Sequence, residues 1–452
     1  MRKRFVVLAT ALALALVGAV RARAQELDPL LRLLVQNKVI TLEQAQAVQA
    51  EYDRQRAAAA PAATTQAAVT EERARQIAVE ETVKAKANLP DGLKDFKFGG
   101  IMFLSYQNGN SYDGAKPLVN GQYPKTYYSQ FTLKRGYLDV EKKITGWLDM
   151  RFTPDIKQDS SGNWFLRTKY LYGKFHWKGN EFVSNPYVEV GSVHLPWIDF
   201  EEGMNGFRAQ DSMFIERVGV MGSADLGVTG GFNFGKELPD SYKKEVNSKY
   251  AGRYGSFMAG IYNGGGYDAA EKNMNKVVMA RVSVRPMPDI APGFQVSLFG
   301  SEGKGNVADT WAASGANKGR EIYPDYRVFL GMLSFEHKFF TVYGQYYTGR
   351  GKRDGSAQYA DYTATEQRGH SFFTKASFPA DKRFTWFARY DFFDTDTRQT
   401  SSQADETTRW ISGVAWNLYK GNFLLLDYDS LRHSLAARPN EERWQLTLQV
   451  KF

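Results

Sequence analysis

Apolar and polar side chains alternate along most of this chain. The alternation has a period of two from Phe96 onward, whereas the apolar residues before Lys86 recur at helical spacing. One of the clearest strands is predicted at 382–395, where one face is apolar and the other includes charged residues. Its apolar face consists of Phe384, Trp386, Ala388, Tyr390 and Phe392. The pattern therefore predicts an all-β region that follows a shorter helical region.

About 16 strands are predicted in the alternating region. They span residues 96–107, 129–143, 146–156, 165–178, 186–196, 217–235, 250–262, 276–287, 292–302, 326–338, 340–351, 368–378, 382–395, 406–418, 421–431 and 442–452. The odd connections are mostly long and the even ones mostly short, and residues 236–249 form the overlong exception. An even number of strands with this asymmetry is typical of a transmembrane antiparallel β-barrel. A soluble sandwich shows the same alternation, so periodicity alone does not decide between them.

The amino terminus has the pattern of an export signal. Three basic residues precede an apolar run from Phe5 to Val20, and small residues at 22 and 24 predict cleavage before Gln25. We therefore expect residues 1–24 to be removed. Residues 25–90 are then expected to form a periplasmic helical region, and residues 91–452 an outer-membrane barrel.

Three short helices are predicted in the region before the barrel. Two amphipathic helices lie within 28–56, and the second begins at a capping box formed by Thr41 and Gln44. Residues 57–68 are rich in Ala and Thr and are typical of a linker. The third helix, at 70–86, has a thin apolar seam that fits either an oligomeric coiled coil or a solvated spacer.

The last strand ends on an aromatic residue. Its apolar face runs from Trp444 to Phe452 at every second position. This end resembles the closing strand of bacterial outer-membrane barrels, in which the terminal aromatic residue is an assembly signal. We expect Phe452 to have that role and outer-membrane lipid to surround the barrel.

Composition narrows the chemistry. The mean hydropathy is −0.45, aromatic residues make up 14 %, and there are 41 Gly, which suits short strands and tight turns. There is no Cys, which excludes thiol catalysis, Cys-ligated metal and covalent c-type haem on this chain. The net charge of +9 falls to +4 without the five basic residues of the signal segment, so nucleic-acid binding gains no support.

Several segments resemble the phosphate-selective porin O and P family. They are YVEVGSVHLP at 187–196, FIER at 214–217, ARV at 280–282, ARYD at 388–391 and GVAWN at 413–417. The resemblance covers most of residues 96–452 and implies a homotrimer of 16-stranded barrels whose inward-folded loops constrict the pore. The chain lacks a dense Lys cluster or a run of closely spaced Arg. The resemblance therefore supports the family better than it supports phosphate selectivity.

The third long connection, residues 197–216, is the candidate constriction. Its acidic residues are Asp199, Glu201, Glu202 and Asp211. Taken alone, these residues also fit an ordinary exposed loop, because loops are usually polar. The resemblance implies that the loop folds inward and presents both signs of charge.

Six arginines are candidate channel-lining residues that attract anions: Arg151, Arg208, Arg217, Arg281, Arg285 and Arg389. The four on strands lie opposite apolar faces, and an arginine facing lipid near the membrane centre costs roughly 2–4 kcal/mol, so they should point inward. Pairing with an acid inside the barrel, such as Asp149 or Asp391, is the other role open to each of them.

The expected function is passive diffusion of small hydrophilic solutes, with a preference for inorganic or organic anions, phosphate among them. No enzyme, cofactor or metal is expected, and the five histidines are scattered without metal-ligand spacing. A structural alternative is a barrel that serves as the sleeve for a separate multihaem cytochrome in a transmembrane electron conduit.

Overall fold

The computed structural model describes residues 95–159, 161–308, 321–359, 361–401 and 404–452, with isolated positions between 41 and 73. The chain divides into two units at Lys94/Asp95. In the first unit, Gln44 N donates to Thr41 Oγ1 at 3.2 Å and Thr41 N donates to Gln44 Oε1 at 2.9 Å. These are the reciprocal hydrogen bonds of a capping box. The predicted signal segment, the linker, the first helix and most of the third lie outside the described residues.

The described residues of the second unit form 16 strands and three short helices. The strands are β1 Phe96–Tyr112, β2 Lys125–Lys143, β3 Leu148–Gln158, β4 Trp164–His176, β5 Val183–His194, β6 Ala224–Phe234, β7 Gly255–Tyr262, β8 Val277–Val284, β9 Phe294–Lys304, β10 Asp325–His337, β11 Phe340–Arg350, β12 Glu366–Ser377, β13 Phe384–Asp394, β14 Glu406–Tyr419, β15 Asn422–His433 and β16 Glu441–Lys451. The helices are α1 Ile198–Asn205, α2 Phe214–Arg217 and α3 Asp240–Glu245.

Every strand pairs with its neighbours in sequence, and β1 pairs with β16 to close the barrel. The closing pair is antiparallel and runs from Ile101 opposite Lys451 to Gly109 opposite Arg443. All backbone groups in the strands can thus find partners without leaving an open edge. The predicted fold class, an antiparallel barrel of 16 strands, is confirmed.

Two predicted strands were too long at their start. The strand predicted at 250–262 begins only at Gly255, because residues 250–254 belong to the connection before it. The segment 217–235 forms a strand only from Ala224, because the chain turns back before that point. Gly219 has a φ of 76°, and Val220 N donates to Ile215 O at 3.2 Å. Residues 217–223 therefore belong to the connection that precedes β6.

The two faces of the strands differ in character. Outward side chains are apolar and exposed, as with Val278 at 53 % and Leu333 at 58 %, whereas Arg281 on the inner face is fully buried. Exposed tryptophans lie near both ends, including Trp147 and Trp164. An apolar belt flanked by aromatic residues is the surface that outer-membrane barrels present to lipid, which supports the predicted location. Among the described residues, no helix combines the length and apolar character that a membrane crossing requires.

Two connections position the candidate site. We call the end of the barrel where β1 begins the turn end, and the opposite end the loop end. The inner loop, residues 195–223, starts at the loop end and carries α1 and α2. The turn-end segment, residues 235–254, joins β6 to β7 and carries α3.

Candidate functional site

The inner loop lies inside the barrel. The side chains of Trp197 and Ile198 are fully buried. The Trp197 ring lies 5.8 Å from that of Phe299 on β9, and the Phe207 ring lies 5.2 Å from that of Phe387 on β13. The apolar side of the loop therefore packs against the wall formed by the later strands, and it fills that side of the lumen.

Cationic and amide side chains of the wall bind the backbone of the inner loop. Their donor–acceptor pairs are Arg281 Nε to Pro196 O at 2.9 Å, Lys375 Nζ to Met204 O at 2.8 Å, Lys134 Nζ to Ala209 O at 2.7 Å, Arg389 Nη1 to Ser212 O at 2.6 Å and Gln445 Nε2 to Gln210 O at 2.6 Å. Carbonyls removed from water need such donors. The wall cations thus fix the course of the loop along its length.

Two of the inward lysines occupy irregularities in the strand register. The pairing of β1 with β2 skips Lys134, and the pairing of β3 with β4 skips Lys169. A bulge of this kind lets consecutive residues face the same side of a sheet. Arg135 and Lys134 both point inward for this reason, as do Tyr170 and Lys169.

Glu201 of α1 is completely buried among polar groups. Its carboxylate accepts hydrogen bonds from Gln345 Nε2 at 2.7 Å, Tyr343 OH at 3.2 Å and Trp197 Nε1 at 3.2 Å. Burial raises the pKa of Glu201 to about 7, although the positive charge of Arg389 opposes the shift. Glu201 therefore faces the barrel wall, and its place in the predicted constriction stays a prediction.

The remaining predicted acids of the loop are all paired with cations. Asp199 accepts from Lys249 Nζ at 2.6 Å, Glu202 lies 2.6 Å from Arg208 Nε, and Asp211 lies 2.9 Å from Arg409 Nη2. Burial alone would raise the pKa of Asp199, but the charge of Lys249 holds it below its ordinary value. The loop therefore does present both signs of charge, in compensated pairs.

Three of the six predicted arginines are enclosed. Arg281, Arg285 and Arg389 are exposed by 0 %, 2 % and 1 %. All three point inward as predicted, but their guanidinium groups bind protein atoms. Arg285, for example, donates to Tyr242 OH at 3.3 Å. Their predicted role in attracting anions remains a prediction, and enclosure leaves them little surface for a solute.

The other three predicted arginines are partly accessible and paired. Arg151 Nη2 lies 2.6 Å from Asp139 rather than beside Asp149. Arg208 bridges Glu202 and Glu216, with 2.6 Å to each carboxylate. Arg217 pairs with Asp391, which also binds Arg389. An ion-pairing role is thus present in the structure for all three.

Sequence reasoning missed a pair of cations on the opposite wall. Arg135 lies 5.0 Å from the centre of the Tyr137 ring, and Lys169 lies 4.5 Å from it. Lys169 Nζ also donates to Tyr137 OH at 3.2 Å. Within the described part of the chain, neither cation forms an ion pair with a carboxylate. Strict alternation would place Lys134 toward lipid, where a lysine is unfavourable. That conflict is the sequence signal that could have indicated a bulge on this wall.

The side of the lumen that the inner loop leaves free is a polar cavity of about 580 Å³. Both signs of charge line it, and its charged or titratable residues include Arg151, Lys174, Glu189, His194, Asp199 and Lys249. Among the residues with described positions, no group of three or more potential ligands could hold a metal ion. The arrangement suits contact with a charged, hydrated solute.

No protein-family model and no curated protein matches the sequence. Among solved structures, the anion-selective porin from Comamonas acidovorans is similar at 11 % identity and a TM-score of 0.51, over 79 % of this chain and 99 % of that one. OmpF of Salmonella typhi, in a complex with daunomycin, has 10 % identity and a TM-score of 0.49, over 79 % and 97 %. At this identity, the first likeness supports the fold alone.

Proposed function

We propose that this chain is a porin, an outer-membrane channel through which small hydrophilic solutes diffuse passively. The observation that carries the proposal is the polar cavity of about 580 Å³ beside the inner loop. The loop narrows the barrel, and charged groups around the remaining space can replace part of a solute's hydration. Short turns of such barrels face the periplasm, which places the turn end on that side.

A preference for anions is the finer part of the proposal. Arg135 supports it, because it is only partly buried and forms no ion pair with a carboxylate among the described residues. Arg135, Lys169 and Arg208 are three cations that act on two acids, Glu202 and Glu216. Such an excess of positive charge in a narrow passage raises the local concentration of anions. Phosphate and small organic anions are the proposed permeants.

Conductance of the purified protein in planar lipid bilayers tests both parts. We expect stepwise insertions, and in a KCl gradient a reversal potential with the sign of anion preference. A protein that assembles but yields no conductance steps would refute the channel. A reversal potential of the opposite sign would refute only the anion preference.

The alternative of a sleeve around a multihaem cytochrome loses support from the inner loop. The loop occupies the later-strand side of the lumen, with Trp197, Phe207 and Phe214 packed against wall aromatics. A cytochrome threaded through the barrel would need that space. Haem absorbance that copurifies with the barrel would reopen this alternative.

We further propose that three copies associate through their barrels, as the sequence resemblance implies. The predicted helical seam at 70–86 is too short to drive association alone. A chain without residues 26–90 should therefore remain trimeric and conducting in mild detergent. A monomer would assign oligomerisation to the region before the barrel.

A further inference from the structure

The turn-end segment, residues 235–254, is much longer than the other connections at that end of the barrel. The connection between β10 and β11, by comparison, consists of Lys338 and Phe339 alone. Part of the turn-end segment is buried, with Leu238 exposed by 2 % and Tyr242 by 9 %. A long connection with its own helix and buried side chains has a structural role beyond joining two strands.

Residues 247–250 of this segment reach into the lumen and contact α1 of the inner loop. Lys249 Nζ donates to Asp199 Oδ1 at 2.6 Å, and Tyr250 OH donates to Asp199 Oδ2 at 3.0 Å. Asn247 Nδ2 donates to Gly203 O at 3.3 Å. The inner loop enters the barrel from the loop end, and the turn-end segment enters from the other end. Helix α1 is therefore contacted by segments from both ends of the barrel.

The barrel wall holds this contact in place. Asn247 Nδ2 also donates to Glu336 Oε1 on β10 at 2.8 Å. The guanidinium carbon of Arg281 lies 4.1 Å from the ring centre of Phe200 and 4.6 Å from that of Tyr250. A cation between two aromatic faces is favourable in a desolvated site. The wall thus fixes the two connections relative to each other.

The ion pair between the two connections borders the cavity. Lys249 and Asp199 both line it, and their side chains are 48 % and 23 % exposed. Gly203 leaves room for the lysine, because a Cβ at that position would lie 3.1 Å from Lys249 Cδ. An ion pair this exposed adds little stability, so its main effect is on the charge that a solute meets.

We propose that Lys249 is a selectivity-determining residue of the channel: from the turn end it neutralises Asp199 on the inner loop, and so removes a negative charge from the solute path. The inference rests on the proposed channel function. Lys249 is not one of the six arginines predicted to line the channel. The inference therefore gives the turn-end segment a role in selectivity.

The test compares reversal potentials in a KCl gradient for the parent protein and the variants K249Q, D199N, D199N/K249Q and K249R. K249Q should raise the permeability of potassium relative to chloride by roughly fivefold, because a unit charge about 8 Å away in water changes the local concentration of each ion a little over twofold, in opposite directions. D199N should shift selectivity toward chloride. The double variant and K249R should both retain the selectivity of the parent.

K244Q is the matched control, because Lys244 is an exposed lysine of the same segment and forms no ion pair among the described residues. K249Q with the parent's reversal potential, or with the same shift as K244Q, would overturn the inference. D199N tests the pair independently if K249Q does not assemble, and an unchanged potential in D199N would likewise overturn it. Absence of conductance in the parent would instead refute the channel itself.

Discussion

Lys375 on β12 donates a hydrogen bond of 2.8 Å from its ammonium group to the carbonyl of Met204, in the last turn of α1. The same nitrogen lies 3.0 Å from the carbonyl of Asn205. Carbonyls at the carboxyl end of a helix have no intrahelical partner and carry partial negative charge. The ammonium group of Lys375 therefore caps the carboxyl end of α1.

Replacing Lys375 with Met should loosen the inner loop. The lost hydrogen bonds involve a charged donor and buried carbonyls, and each such bond contributes roughly 1.5–3 kcal/mol. We expect a lower temperature of heat dissociation in detergent and larger fluctuations of the open-channel current. K382M, which removes an exposed lysine near the start of β13, is the control and should match the parent. A K375M channel as quiet and as heat-resistant as the parent would contradict the prediction.

Glu201 should make the stability of the barrel depend on pH. Its pKa of about 7 in the fold exceeds the ordinary value of 4.5, so the folded protein binds the proton more tightly than the unfolded chain does. Stability should therefore fall as the pH rises from about 4.5 to about 7, and the loss should be complete above that range.

The variant E201Q isolates this contribution, because an amide can accept the hydrogen bonds from Gln345 and Tyr343 but does not ionise. We expect the unfolding temperature of E201Q to fall less between pH 5 and pH 8 than that of the parent. E302Q, at an exposed glutamate on β9, should retain the parent's dependence. Equal pH dependence in E201Q and the parent would show that Glu201 does not titrate in this range.

Arg208 should influence selectivity more directly than the enclosed arginines. R208M would leave Glu202 and Glu216 without their shared cation, since both lie 2.6 Å from its guanidinium group. The loss of one positive charge beside these acids should shift the reversal potential toward cations while the barrel still assembles. R383M, which breaks an exposed pair with Asp381 at the turn end, should leave the potential unchanged. An unchanged potential in R208M would exclude this residue from the selectivity of the channel.

Gly191 on β5 should not tolerate a side chain. Its φ is 131°, and a Cβ there would overlap the carbonyl oxygen of Leu171 and lie 3.0 Å from Tyr172 Cα. Both obstacles are backbone atoms of β4, so no side-chain rotation relieves them. G191A should sharply lower the fraction of protein that reaches the heat-modifiable, folded form. G300A on β9 is the control, because the nearest atom to its Cβ is 4.0 Å away, and it should assemble like the parent.

The strands could be predicted from the sequence because lipid on one side and a polar interior on the other impose a period of two. The predicted strand 340–351, for example, corresponds to the observed Phe340–Arg350. The start of the sixth strand could not be predicted, because 217–223 has the polarity of a strand but turns back after α2. That turn depends on packing inside the barrel, and packing cannot be predicted from the alternation of apolar and polar residues.

Less of the candidate site than of the fold could be predicted from the sequence. Because an arginine in lipid is unfavourable, we could predict that Arg281 and Arg389 point inward. The same argument does not predict which groups they bind there. Their acceptors, Pro196 and Ser212, are backbone carbonyls of a segment far away in the chain. Lys134 and Lys169 escaped notice because register irregularities change which side a residue faces.

The carbonyl of Gln210 links the inner loop to the seam of the barrel. It accepts from Lys134 Nζ on β2 at 2.8 Å and from Gln445 Nε2 on β16 at 2.6 Å, and these two side chains also lie 2.9 Å from each other. Strands β2 and β16 lie on either side of β1, where the first and last strands of the barrel meet. The tip of the inner loop thus joins the first and last parts of the barrel sequence, and its hydrogen bonds are complete only when the barrel is closed.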